Sequence, residues 1–309
     1  MAAVRTRGPL RALVSAVGSE RTAGGATERE RPQSAWSHLL EPRVLLRVTY
    51  RVLGVFTVLI LSALTLLLFR LRGAAAARVG SRCASRLLRL AGVSIHVEGE
   101  YQRGQGLVVC NHRSYIDVLA ILSVTPCSFL CKKEVRAWPL IGGMAERMGV
   151  VFVDRSSRES RADTLEKISA EVLAGAELAA FPEGTTSKGP GMRPTYPGLF
   201  RAAETHGFGV VPMVIEYADP EDAWVGDDTL VRHCLFWLSK PRSELTVRIA
   251  DPEALSLRES GSHAISARGS LQERAEAWMR EALGDLNAKY ARQPRFQGPQ
   301  MAKVSAGSP

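Results

Sequence analysis

The sequence contains few of the residues that bind metals or form disulfide bonds. It has five cysteines and six histidines, and they form no CxxC pair, no HExxH motif and no mixed Cys/His spacing of a zinc site. These absences argue against a zinc enzyme and against a disulfide-stapled secreted protein. We predict that the cysteines are reduced core residues of a protein that faces the cytosol; they are Cys83, Cys110, Cys127, Cys131 and Cys234.

Aromatic residues are also scarce, at 6% of the chain, and no stacking motif typical of nucleic-acid-binding proteins is present. Positive charge, by contrast, is in excess. The 40 Lys and Arg residues exceed the 31 Asp and Glu residues, which gives a formal net charge of +9. This surplus indicates an anionic partner, which can be a nucleic acid, a phospholipid surface or a phosphorylated substrate. Charge alone does not choose among these partners.

The first part of the chain predicts a tail followed by a membrane helix. Residues 1–40 lack a helical period and are predicted to be disordered, with a transit peptide in 1–18 as an alternative. Residues 52–69 carry no formal charge and as a helix span about 27 Å, close to the thickness of a bilayer core. Flanking arginines suit interfacial anchors and favour a membrane helix over a buried core helix. They are Arg43, Arg47, Arg51, Arg70 and Arg72.

A second, amphipathic helix is predicted at residues 74–90. Its arginines repeat at helical spacing beside an apolar stripe. This pattern suits an interfacial helix on anionic lipid, and an ordinary helix with a solvated face is the alternative. We predict that residues 41–92 form a pair of membrane-anchoring helices. The arginines are Arg78, Arg82, Arg86 and Arg89.

From residue 94 onward, short β-rich runs alternate with helical patterns. The strand candidates are 94–97, 106–110, 127–131, 150–153, 176–181, 210–215 and 245–250. The helical patterns are 116–122, 139–148, 161–173, 198–206 and 271–290. Such alternation predicts an α/β fold with a mainly parallel central sheet flanked by helices. We assign residues 93–291 to this domain and predict a disordered tail at 292–309.

The segment NHRSYID, residues 111–117, places an ionisable pair directly behind a strand candidate. Residues five apart cannot meet if both lie within a helix, because they point about 140° apart. With the helix starting near Ser114 or Tyr115, however, His112 lies in the loop and Asp117 in the first turn. The carboxylate can then orient the imidazole as a general base. The alternative is structural, with Asn111 or Ser114 as a helix cap.

Three later blocks are also of interest. Two of them carry polar residues at the end of a strand candidate, and the third contains a proline within one. In VFVDR, Arg155 suits bidentate capture of phosphate, with a surface ion pair to Asp154 as the alternative. In FPEGTTS, Gly184 permits close backbone approach to a ligand, and neighbours such as Thr185 can donate hydrogen bonds to an anionic oxygen. In VPMVI, Pro212 predicts an edge or terminal strand.

In this order, NHRSYID, GVVFVDR, FPEGTTS and VPMVI resemble the four blocks of the glycerolipid acyltransferase family, which includes 1-acyl-glycerol-3-phosphate acyltransferases. The resemblance covers roughly residues 94–250. It implies that His112 is the general base and Asp117 its orienting partner. It also implies that Arg155 binds the phosphate of the acceptor, and that Glu183 and Gly184 help to form the acceptor pocket.

The resemblance further implies a reaction and its partners. The hydroxyl of a lysophospholipid attacks the thioester of acyl-CoA or acyl-carrier protein, without an acyl-enzyme and without a metal or other cofactor. The partners are then a phospholipid membrane, the lysophospholipid and the acyl donor, and no nucleic acid. We expect a bacterial inner-membrane protein whose catalytic domain faces the cytoplasm.

One residue departs from the family pattern. The third block usually reads FPEGTRS, and here Thr186 takes the place of the arginine. Lys188 can supply a positive charge, although an ammonium lacks the planar fork of a guanidinium. We place 1-acyl-glycerol-3-phosphate first as the acceptor. Lyso-ornithine lipid and lipids similar to lysophosphatidylcholine are the alternatives.

Two other classes of function compete with acyl transfer. A hydrolase would use Ser114 as its nucleophile, but no GxSxG elbow surrounds this residue. The other alternative is a basic protein that binds membranes or nucleic acid without catalysis, but aromatic residues are only 6% of the chain and no stacking motif or nucleic-acid fold is recognisable. Both interpretations are weaker than the one that the four blocks support together.

Overall fold

The computed structural model describes residues 41–154, 157–226, 228–251 and 269–292. The predictions made for residues 1–40, for Arg155 and for residues 293–309 lie outside the described residues. Within the described ranges, two long helices precede an alternation of strands and helices.

A seven-stranded sheet forms the centre of the fold. In chain order the strands are β1 (Val93–Glu98), β2 (Leu107–Cys110), β3 (Ser128–Lys132), β4 (Val151–Val153), β5 (Leu178–Ala180), β6 (Val210–Tyr217) and β7 (Ser243–Ile249). Their order across the sheet is β1-β7-β6-β2-β5-β3-β4. Neighbours from β6 to β4 pair in parallel, β7 pairs antiparallel with β6, and β1 pairs in parallel with β7. The predicted α/β fold with a mainly parallel sheet is confirmed.

Helices pack on both faces of the sheet. They are α1 (Pro42–Leu68), α2 (Gly73–Ala91), α3 (Ile116–Val124), α4 (Ile141–Met148), α5 (Arg158–Leu173), α6 (Gly198–His206), α7 (Leu230–Ser239) and α8 (Leu271–Ala291). The strands and helices predicted from residue 94 onward are all present. Helix α7 was not predicted from the sequence. Its start does carry a signal, because the Thr229 hydroxyl accepts a hydrogen bond from the Arg232 amide, as helix caps do.

Alternation along β2 divides the core into two parts. Val108 and Cys110 pack with α2, α3 and α4 on one face, and Leu107 and Val109 pack with α5, α6 and α8 on the other. All four side chains are fully buried, as expected for a parallel strand covered on both sides. The five cysteines are free thiols in the structure.

The prediction that Pro212 marks an edge or terminal strand was wrong. Strand β6 lies inside the sheet, between β7 and β2. The Pro212 carbonyl accepts a hydrogen bond from the amide of Ala250, which lies past the end of β7. Pro212 therefore turns its hydrogen-bonding side toward the end of β7. The pairing of β6 with β7 ends at Met213 and Ile249. The position without an N–H thus lies just beyond the paired residues, where proline is tolerated.

Helix α1 is long and apolar enough to cross a membrane, by length and composition. Only 17% of its most apolar window is buried in the fold. The exposed apolar side chains cover the helix from its first turn to its end. They include Leu46, Tyr50, Leu53, Phe56, Ile60, Leu61, Leu64, Leu67 and Leu68.

The arginines of α1 do not all act as the interfacial anchors that we predicted. Arg51 is only 7% exposed, and its guanidinium donates to the carbonyls of Leu238, Lys240 and Pro241. Arg47 donates to the Ser239 carbonyl at 2.8 Å. These carbonyls lie at the C-terminal end of α7, where a helix has unpaired acceptors and a partial negative charge. The two arginines therefore fasten α1 to the α/β domain.

The arginines of α2 face solvent, as the sequence pattern predicted. Arg78, Arg82, Arg86 and Arg89 are all exposed. The opposite side of α2 is buried against α1, α3 and α4 and includes Cys83, Ala84, Leu87 and Leu88.

Replacement of Arg51 by methionine is expected to weaken the docking of α1. The variant leaves three carbonyls without their charged donor, which corresponds to a loss of about 1–3 kcal/mol in the free energy of unfolding. Urea unfolding in detergent micelles measures this loss. The matched control is Arg43→Met on the same helix, since Arg43 is exposed. Equal losses in the two variants would contradict the docking role of Arg51.

Candidate active site

Three loops meet at one edge of the sheet because β2, β5 and β6 are parallel neighbours. The carboxyl ends of parallel strands lie at the same edge, which is where ligands of open α/β sheets bind. The loop after β2 carries residues 111–115, the loop after β5 carries residues 181–197, and β6 ends at Glu216 and Tyr217.

His112 and Asp117 lie in contact at this edge. Strand β2 ends at Cys110 and α3 begins at Ile116, so Asp117 occupies the first helical turn. The His112 Nδ1 atom lies 2.8 Å from the Asp117 Oδ2 atom. The imidazole is 19% exposed and the carboxylate is fully buried. A carboxylate on Nδ1 fixes the proton there, which leaves Nε2 as the acceptor nitrogen.

The carboxylate of Asp117 is held by three further donors. Its Oδ2 atom accepts the backbone N–H groups of Arg113 at 2.6 Å and Ser114 at 2.8 Å. Its Oδ1 atom accepts the Tyr217 hydroxyl at 2.6 Å. Burial, and next the charge of Asp117, raise the pKa of Tyr217 well above its ordinary value, so the phenol remains a donor. Four hydrogen bonds thus compensate the burial of one carboxylate.

The loop after β5 holds His112 from the other side. The His112 amide donates to Glu183 Oε1 at 2.8 Å, and the His112 carbonyl accepts the Ser187 amide at 2.9 Å. The imidazole also stacks on the Phe181 ring, with centroids 4.0 Å apart. Backbone and ring of His112 are therefore both fixed by residues of the FPEGTTS block.

Glu183 links two segments of its own loop region as well. Its Oε2 atom accepts the Arg193 amide at 2.6 Å. Burial raises the pKa of Glu183, while the amides of Arg193 and His112 act in the opposite direction. The carboxylate serves as an acceptor for backbone groups on both sides of the site.

Arg113 ties the loops together beneath the site. Its side chain is fully buried and its guanidinium forms an ion pair with Glu216 at 2.6 Å. The same guanidinium donates to the Ser187 hydroxyl at 2.9 Å and to the Gly191 carbonyl at 2.7 Å. Burial raises the pKa of Glu216, and the charge of Arg113 opposes this shift. One arginine thereby joins β2, the loop after β5 and the end of β6.

Asn111 fixes the loop to the neighbouring strand in the manner of a β-sheet ladder. Its side-chain amide donates to the Ile215 carbonyl at 2.9 Å and accepts the Ile215 amide at 2.8 Å. Ser114 is fully buried and its hydroxyl lies 3.5 Å from the Ile116 amide. A hydrolase nucleophile needs an accessible hydroxyl, so this position does not favour the hydrolase alternative.

The remaining predicted site residues have different surroundings. Gly184 adopts a φ of +71°, and a Cβ atom at this position would lie 2.7 Å from the Tyr196 ring; both features favour glycine here. Thr185 is exposed. Lys188 forms an ion pair with Glu221. Arg155 lies outside the described residues, and its neighbour Asp154 forms an ion pair with Lys133.

Sequence reasoning gave no role to Arg113, Glu216 or Tyr217. Arg113 lay inside a recognised block but offered no sign of a partner 103 positions away. Glu216 and Tyr217 form a polar end to the apolar run of β6, and this end was the available signal. The part of the chain that the structure describes contains no cluster of three or more metal-ligating residues.

Comparison with known proteins identifies the family. A family model for acyltransferases matches residues 93–216. A lyso-ornithine lipid O-acyltransferase from Pseudomonas aeruginosa is 34% identical over 173 residues, which are 54% of this chain and 67% of that protein. This chain belongs to the glycerolipid acyltransferase family.

Two further proteins are consistent with this membership. A 1-acyl-sn-glycerol-3-phosphate acyltransferase from Neisseria meningitidis serogroup B is 33% identical over 151 residues, which are 46% of this chain and 57% of that protein. The chain thus spans less than two thirds of that relative. The crystal structure of the 1-acyl-sn-glycerophosphate acyltransferase of Thermotoga maritima matches with a TM-score of 0.57 at 21% identity and covers 80% of this chain and 97% of that one. This likeness confirms the fold, and the relatives confirm an O-acyltransferase of lipid metabolism.

The buried ion pair of Arg113 and Glu216 is expected to couple strongly in unfolding measurements. Arg113→Met or Glu216→Leu alone leaves a buried charge without its partner, at a cost of about 3–5 kcal/mol in the free energy of unfolding. The double variant should lose much less than the sum of the two. Urea unfolding of the four proteins in detergent measures the coupling.

The control cycle uses the more exposed pair of Glu98 and Lys289, whose coupling we expect to be about 1 kcal/mol or less. Equal coupling in the two cycles would contradict a structural role specific to the Arg113 pair.

Tyr217→Phe is expected to lower kcat about tenfold while the acceptor KM changes little. The variant removes one donor from Asp117 and so loosens the orientation of His112, without a change in the loops that face the substrate. Steady-state acyl transfer measures both constants. Tyr290→Phe is the matched control, because its hydroxyl contacts Thr246 at 2.7 Å and not the site. A similar fall in kcat for both variants would refute this positioning role of Tyr217.

Proposed function

We propose that this protein transfers a fatty acyl group from acyl-CoA or acyl-carrier protein to the free hydroxyl of a lyso-lipid, with His112 as the general base. The observation that carries the proposal is the 2.8 Å contact of Asp117 with His112 Nδ1. This contact leaves Nε2 as the nitrogen that accepts a proton. A partly exposed imidazole at the carboxyl edge of a parallel sheet suits catalysis more than core packing.

The proposed reaction has two proton transfers and no covalent enzyme intermediate. His112 Nε2 removes the proton of the acceptor hydroxyl while that oxygen attacks the thioester carbonyl carbon. The tetrahedral intermediate then collapses, the carbon–sulfur bond breaks and the sulfur leaves. The imidazolium returns the proton to this sulfur, which gives the free thiol and the new ester. Asp117 stabilises the imidazolium between the two transfers.

The acceptor binds, in this proposal, in front of the loop after β5. Glu183, Gly184 and Thr185 line the acceptor pocket, and Arg155 and Lys188 bind the anionic group of the acceptor. The sequence resemblance places 1-acyl-glycerol-3-phosphate first, with phosphatidic acid as the product. The ion pair of Lys188 with Glu221 favours the second candidate, a lyso-ornithine lipid, because a paired lysine is less suited to a phosphate monoester.

The membrane is the proposed site of action. Both the single-chain acceptor and its product reside in a lipid leaflet, and the exposed apolar side of α1 provides a surface that inserts there. The exposed arginines of α2 attract anionic lipid. We place the protein at a bacterial inner membrane with the catalytic domain on the cytoplasmic side.

The test of the proposed function is acceptor-dependent thiol release from acyl-CoA by the detergent-purified protein, repeated with acyl-carrier protein as donor. We expect His112→Ala to abolish release and Asp117→Asn to lower turnover at least about a hundredfold, because the base loses its orientation and its counter-charge. Unchanged activity in Asp117→Asn would remove Asp117 from the mechanism.

His96→Ala is the control, since His96 is exposed on β1 and should leave turnover intact. Full activity of His112→Ala would contradict the proposed function, as would thiol release that is independent of a lyso-lipid acceptor.

A further inference from the structure

Lys188 and Glu221 form an ion pair beside the acceptor loop. The two side chains are 42% and 48% exposed, so both charged ends are accessible to a ligand. Lys188 directly follows Ser187, whose amide donates to the His112 carbonyl. Glu221 lies in the segment that leads to Trp224, whose amide donates to the Arg113 carbonyl. Both charges are thus carried by segments bonded to the NHRSYID loop.

Two other cationic side chains that bond to these segments, Arg113 and Lys240, are also matched with acids. The guanidinium of Arg113 pairs with Glu216. The ammonium of Lys240 lies 2.6 Å from Asp219 and 2.6 Å from Asp222. In addition, Thr186 in the FPEGTTS block is uncharged. These residues therefore present balanced charges, where a site for a phosphate monoester would present an excess of positive charge.

We propose that the Lys188–Glu221 pair selects acceptors whose head group carries both an anionic group and a primary ammonium. This inference rests on the proposed acyl transfer to a lyso-lipid. Lys188 binds the anionic group of the acceptor, and Glu221 binds its ammonium. Head groups of this chemistry include an amino acid with a carboxylate and a side-chain ammonium, as in ornithine, and phosphoethanolamine.

An exchange of partners explains the selectivity. The anionic group of a zwitterionic head group can pair with Lys188 in place of Glu221, and its ammonium can pair with Glu221 in place of Lys188. Each of the two side chains therefore keeps one ion-pair partner. A phosphate monoester offers a partner to Lys188 alone and brings a second negative charge close to Glu221. Unlike charges attract and like charges repel across a binding site, so Glu221 acts against the purely anionic acceptor.

The test compares kcat/KM for three acceptors: 1-acyl-glycerol-3-phosphate, lysophosphatidylethanolamine and lyso-ornithine lipid. The wild type is expected to prefer one or both ammonium-bearing acceptors. Glu221→Gln should lower kcat/KM about fivefold for these acceptors and raise it for 1-acyl-glycerol-3-phosphate, through KM. Lys188→Gln should lower kcat/KM for all three. Glu98→Gln is the matched control. Glu98 also forms an ion pair, with Lys289, but it lies on the edge strand β1, which is three strands away from β2.

The outcomes separate this inference from the proposed function. A wild type that prefers 1-acyl-glycerol-3-phosphate overturns the inference and leaves the acyl transfer intact. A Glu221→Gln variant whose kcat/KM changes by the same factor for all three acceptors also overturns the inference and leaves the acyl transfer intact. A wild type without any transfer that depends on His112 and on an acceptor overturns both. A preference confined to lyso-ornithine lipid or to lysophosphatidylethanolamine identifies which head group supplies the shared chemistry.

Discussion

The buried carboxylate of Asp117 is the constraint on which the site depends. A charge without solvent is costly unless donors surround it, and here two backbone amides, one phenol and one imidazole supply the hydrogen bonds. Each donor is thereby fixed in position, since its loss would leave the charge short of a partner. The backbone turn from Arg113 to Ser114 is thus folded around the same atom that orients His112. The geometry of the His112–Asp117 pair and the stability of this turn therefore have the same cause.

The sheet order turns distant parts of the sequence into one site. Because β6, β2 and β5 are parallel neighbours, the loop that carries His112 meets both the FPEGTTS loop and the end of β6. Arg113 then bonds groups from both of these segments. A second junction lies at α7, whose C-terminal carbonyls accept the arginines of α1. The long apolar helix α1 is therefore fastened to the domain through hydrogen bonds as well as through apolar packing.

Local patterns in the sequence predicted much of this arrangement, and long-range pairing determined the rest. The strands followed from apolar runs, and the contact of His112 with Asp117 followed from their spacing across a strand-to-helix turn. Glu216 and Tyr217 lie about a hundred residues away from their partners, so the polar end that they give to β6 does not show that they bond to the NHRSYID loop. Pro212 was placed at an edge because proline lacks the N–H that an inner strand donates to its neighbours. In the structure β7 ends beside Pro212, so this N–H is not needed. Arg51 was read as a lipid anchor because its partners are backbone carbonyls, which leave no trace in the sequence.

The central claim is that Asp117 holds the proton of His112 on Nδ1 and leaves Nε2 free to act as the base. Nitrogen NMR of protein labelled with ¹⁵N-histidine reports this tautomer directly, with the His112 signals assigned by their absence in His112→Ala. We expect the neutral imidazole of His112 to show a protonated Nδ1 and an unprotonated Nε2 in the wild type, and to lose this bias in Asp117→Asn. A neutral His112 with its proton on Nε2 in the wild type would contradict the account.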